Sequence, residues 1–171
     1  MAGMGASKWV LGVIHDPRIE AFLPNLSATG YSIKSPQDGS YNCIAWAAGV
    51  DDNWWWPVSP YYWPPGISKD NTVQSFIDAF EQQRYTVCED VEPETGYEKV
   101  VIYTKEGRPT HAARQLPSGS WTSKLGQSYD IEHQSLHGVE GFYYGMVAIT
   151  LKRPIQSAES AQQDVTDETE D

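Results

Sequence analysis

The chain has 171 residues, with twelve basic and twenty-three acidic side chains and a formal charge of -11. That length fits one domain whose core needs no metal or disulfide staple. Six of the acids lie in 156–171, leaving 17 acids against 12 bases elsewhere, so the charge offers no footprint for nucleic acid and no basic helix for an anionic membrane.

In chain order, residues 1–8 read as a flexible lead and 9–14, WVLGVI, as a short strand. Residues 15–39 are rich in Pro, Gly, Asn and Ser and read as irregular, with a helical turn over Arg18–Leu23. The run from Tyr41 to Gly49 predicts a short buried helix opening near Cys43, with Ser40 or Asn42 as cap and Gly49 closing it. Four prolines in 51–67 forbid a regular element there, which makes the Trp- and Tyr-rich segment an ordered aromatic loop or lid. The spacing of Val73, Phe76, Ile77 and Phe80 predicts a helix over 72–84. Strands follow at 85–89, 98–104, 110–116 and 120–124, then a helical turn around Asp130–Leu136 and a closing strand at 143–151. Residues 154–171 read as a disordered acidic tail, so the folded domain is expected over 9–153. Short helices followed by an antiparallel meander define an α+β architecture, with the helices packed against one sheet.

No apolar run reaches the length of a membrane span. The first residues do not resemble a secretory signal, so a cytoplasmic location is expected, with signal-independent export as the alternative. A monomer or weak oligomer is expected. Cys43 and Cys88 form no disulfide framework and read as free thiols. The histidines stand at 15, 111, 133 and 137 without CxxC or HExxH spacing, and only His133 and His137 would share a helical face. Neither a metal nor a cofactor is expected.

Cys43 and His111 carry the chemistry. A helix start presents unpaired N–H groups that lower a thiol pKa, and an imidazole can take the thiol proton near neutral pH. His111 falls near the start of a strand that would hold its ring in a fixed direction. A hairpin closed by Pro117-Ser118-Gly119 pairs Leu116 with Ser120 and Ala113 with Ser123. Ser123 then lies on the neighbouring strand, where it can orient His111, with Asp130 and His133 as rivals. Arg114, an odd step from His111, points away from it, and Arg114 and Lys124 read as surface charges. Trp54, Trp55, Trp56 and Trp63 are candidates for the wall of a substrate groove.

The segments SPQDGSYNCIAWAAG and THAARQLPSGSWTSKLG resemble the two halves of a papain-like thiol site, in the broad sense that includes NlpC/P60-like and bacterial papain-like toxin members. They are also similar to an uncharacterised bacterial family with YNCxAWAAG and WTSKLG signatures. The resemblance implies a papain-like α+β fold. It also implies a cysteine-dependent peptidase, amidase or deamidase acting on a protein, peptide or other amide-bearing substrate through a thioester. Transglutaminase-like acyl transfer is an alternative, and so is a non-catalytic binding module using residues 54–63. By the same resemblance, Gln37, six residues before Cys43, would supply an oxyanion donor beside the Cys43 backbone N–H.

Overall fold

The computed structural model describes residues 15–156; the strand expected over 9–14 and most of the acidic tail lie outside them. The chain opens with helix α1 (Pro17–Phe22), helix α2 (Leu26–Thr29) and strand β1 (Tyr31–Ser35). Helix α3 (Cys43–Ala47) and helix α4 (Val73–Gln82) come next. Strands β2 (Thr86–Cys88), β3 (Tyr97–Lys105), β4 (Arg108–Gln115), β5 (Trp121–Lys124) and β6 (Asp130–His133) follow, then a 3-10 turn (Leu136–Val139) and strand β7 (Met146–Pro154).

The seven strands form one open sheet in the order β1-β6-β5-β4-β3-β7-β2, and each neighbouring pair is antiparallel. Strands β3 to β5 are the expected meander, and β6 extends it. Strand β7 returns to pair with the other side of β3 and so separates it from β2. Alternation along β3 and β4 divides the core in two. Val100, Ile102 and Ala112 face Ile44, Phe76 and Phe80 of α3 and α4. Val101, Tyr103 and Ala113 face Ile19, Leu23 and Leu26 with Trp121, Ile131 and Val139. The fold is thus α+β, with short helices on one antiparallel sheet, placed against both of its faces.

Three readings needed correction. Residues 15–39 are more regular than expected: the helical turn read over Arg18–Leu23 is α1, which Asp16 caps by accepting from the Arg18 N–H at 2.9 Å with Pro17 in the first turn, where its missing donor costs nothing, and α2 and β1 follow it. In β1, buried Tyr31 and Ile33 alternate with less buried neighbours. The turn expected around Asp130–Leu136 is a strand as far as His133, because Ile131 and His133 share the inner face of β6, and the helical turn begins only at Leu136. His133 is consequently buried in the sheet while His137 is exposed beside Glu140, so the two do not share a helical face. At the other end, the closing strand expected over 143–151 is β7, Met146–Pro154, and the Ile155 N–H bonds the Gly96 carbonyl at 2.8 Å.

Candidate functional site

Asn42 anchors the site. Its backbone is extended, and its side-chain oxygen accepts from the Ala45 N–H at 3.2 Å, which caps α3. The same oxygen accepts from the Trp55 N–H at 3.0 Å, and the amide group donates to the Trp55 carbonyl at 2.8 Å. The helix start and the aromatic loop are thereby tied together. Trp55 is buried, and its neighbours Trp54 and Trp56 line a cleft of about 330 Å³ with Asn42, Cys43, Tyr61, Thr110, Gly126 and Tyr144. Trp63, expected in the same wall, packs instead on Phe76 in the core and donates to the Ser68 carbonyl at 2.9 Å.

Cys43 lies on the cleft wall but is only 7% exposed. Burial pushes its thiol up to about 11, while the N–H groups of Ala112, Ile44 and Cys43 itself and the charge of Lys124 act in the opposite sense. The expectation of a thiol lowered by its helix is therefore not met. α3 has five residues, too few to offset the loss of water around a buried sulfur.

On the other side of β4 lies a hydrogen-bonded chain of side chains. The His111 Nε2 and Ser123 Oγ are 2.9 Å apart, and Ser123 Oγ and His133 Nε2 are 2.7 Å apart. His133 Nδ1 lies 3.0 Å from the Ser135 carbonyl oxygen. A carbonyl can only accept, so Nδ1 of His133 carries the proton and its Nε2 accepts from the Ser123 hydroxyl. The Ser123 oxygen then accepts from a protonated Nε2 on His111. This chain assigns His111 the neutral tautomer with its lone pair on Nδ1, and that nitrogen is buried with no hydrogen-bond partner among the described residues. Burial, and then the neighbouring His133, hold the His111 imidazole well below its ordinary value. Burial likewise lowers His133 to about 4, against the pull of the Ser135 carbonyl and Glu132. Tyr144 stacks on the His111 ring with centroids 4.1 Å apart and planes at 13°.

Ser123 is thus in contact with His111, on the strand expected for it, and the Leu116 N–H bonds the Ser120 carbonyl at 2.8 Å as the hairpin register requires. His133 joins through Ser123 rather than directly. Asp130 is buried opposite Lys124 in the β5–β6 ladder, and burial raises its carboxyl; it makes no hydrogen bond to either imidazole. Among the described residues no hydrogen bond joins the Cys43 thiol to His111. The sulfur faces the Ala112 N–H, and Ala112 belongs to the core layer of Cys43 while Tyr103, beside His111, belongs to the other. Gln37 is exposed and does not line the cleft.

Two residues were missed from sequence. Tyr144 touches both His111 and the cleft, and its only sequence signal is its place between Gly141 and Gly145, which pair with each other. Lys124, read as a surface charge, is fully buried, donates to the Asp38 and Gly126 carbonyls and lies 4.7 Å from the Tyr41 ring centroid. Arg114 does point away from His111, toward α3, with its guanidinium 5.4 Å from the Trp46 ring centroid.

Comparison with curated proteins gives no match, and comparison with solved structures gives none. Residues 32–152, which run from within β1 to within β7 and include every residue of the cleft and of the imidazole chain, match the model of a family described as a domain of unknown function, DUF7689, and the chain belongs to that family.

Proposed function

We propose that the cleft is a thiol-dependent acyl-transfer site of papain-like or NlpC/P60-like type, acting on amide bonds of a protein, peptide or related substrate. One observation carries this reading: the Ser123–His133 chain leaves a buried, unpartnered lone pair on His111, in the residue adjoining the one whose N–H faces the Cys43 sulfur. The order of Cys on a helix start, His on a strand and a polar residue on the next strand supports it as well.

In this reading the resting pair is a neutral thiol and a neutral imidazole. The step requires the Cys43 sulfur to turn from the Ala112 N–H toward the cleft, where its proton passes to His111 Nδ1 as it attacks the substrate carbonyl. The amine then leaves with that proton, and a thioester remains on Cys43. Water, activated by the same imidazole, releases the acid and restores the thiol, which gives peptidase, amidase or deamidase chemistry; an amine in place of water gives transglutaminase-like transfer.

The raised thiol favours a second reading, a binding module in which the aromatic cleft docks a partner and Cys43 only packs. Acylation by p-nitrophenyl acetate, followed by intact mass, separates the two. The enzyme reading expects one acetyl adduct on Cys43 that is absent from Cys43→Ala. It expects His111→Ala to acylate slower by a factor on the order of 100. Equal, slow acylation of wild type and His111→Ala, rising with pH like a free thiol, supports the module.

A further inference from the structure

We propose that Tyr144 is a catalytic residue of this site, its hydroxyl donating a hydrogen bond to the oxyanion that forms when Cys43 attacks a carbonyl. The proposal rests on the thiol acyl-transfer reading above and names a donor that the sequence did not.

Beside the backbone N–H groups of Cys43, Ile44 and Ala112 that face the sulfur, the side-chain donors of the cleft are few. The Asn42 side-chain amide is held on Ala45 and Trp55, its oxygen accepting twice and one of its two N–H groups donating to the Trp55 carbonyl. The Thr110 hydroxyl faces the Tyr103 and Tyr144 carbonyls. Gln37 stands in solvent, away from the lining residues. Tyr61 is 47% exposed at the rim, against Trp54. Tyr144 differs from these. Its ring is stacked flat against His111, and it lines the same cleft as Cys43. Burial holds that hydroxyl well above its usual value, and a charge on the Cys43 sulfur would raise it further, so it stays a donor and lies within electrostatic reach of the sulfur.

The backbone fixes the ring's position. Gly145 has φ +74, and a Cβ there would stand 1.9 Å from the Thr104 carbonyl oxygen, so only glycine brings this loop so close to β3. When sulfur attacks, the carbonyl π electrons move to oxygen. The Tyr144 O–H then donates to that oxygen without giving up its proton, and a donor placed beforehand needs no reorganisation at that moment.

Tyr144→Phe keeps the stacked ring and removes only the donor. Acylation by p-nitrophenyl acetate passes through an oxyanion; alkylation by iodoacetamide at the same sulfur does not. The expected result is a loss of about 100-fold in acylation rate with alkylation unchanged. Two outcomes overturn the proposal while the thiol reading stands: acylation unchanged in Tyr144→Phe although His111→Ala is slow, or acylation and alkylation falling together, which marks a structural role. A wild-type protein that forms no Cys43 adduct removes the parent reading and this proposal with it.

Discussion

His111 and His133 are held neutral by their surroundings, and that neutrality has a cost in acid. Above pH 6.5 both rings are neutral in the folded and the unfolded chain, so this contribution to stability is complete. Below pH 6.5 the unfolded chain takes up protons that the buried rings refuse. Stability therefore falls from pH 6.5 down toward about 4, the value to which burial lowers His133, by up to about 1.4 kcal/mol per pH unit for each ring. The urea midpoint should drop steeply across that window, and His133→Gln should show a shallower drop; an unchanged slope in the variant would mean that His133 is not held neutral. Ser123 was legible because a turn and a two-residue period place it by counting from His111. The tautomer was not legible, since it depends on the Ser135 carbonyl, a backbone group beyond the next strand. Nor was the state of the thiol, because burial by distant elements outweighs the short helix that sequence reveals.

At the scale of elements, Asn42 joins two pieces of chain that neither helix propensity nor alternation connects. Replacing it with alanine removes the α3 cap and leaves the buried Trp55 N–H and carbonyl without their partner. The expected cost is about 2–4 kcal/mol, read from the denaturation midpoint, and the near-ultraviolet circular dichroism of the tryptophans should change with it as the loop loosens. A cost below about 1 kcal/mol, typical of a cap alone, would show that the loop holds itself in place. Helices α3 and α4 were readable from their caps and apolar stripes, to within two residues for α4. Strand β6 was not, since four residues with one Ile leave the period undecided.

For the whole molecule, the sheet is one partition shared by two apolar layers. Ile102 belongs to the layer under α3 and α4, and Ile131 to the layer under α1 and α2; both are completely buried. Ile102→Ala and Ile131→Ala should each cost about 2–5 kcal/mol and shift the same single unfolding transition, because the sheet carries the load of both layers. Two separated transitions in either variant would show that the layers unfold independently. The cleft sits at the end of this partition, where α3, the aromatic loop and the segment before β7 meet beside β4.

Composition, periodicity and turn chemistry were enough for the α+β class, the β3–β5 meander, the helix that carries Cys43 and the register that joins His111 to Ser123. These depend on neighbours within a few residues or on a single hairpin. The neutrality of both imidazoles, the raised thiol, the burial of Lys124 and the arrival of Tyr144 against His111 depend on what folds over each group from far along the chain. Desolvation and stacking act through space, and a linear pattern carries no record of them.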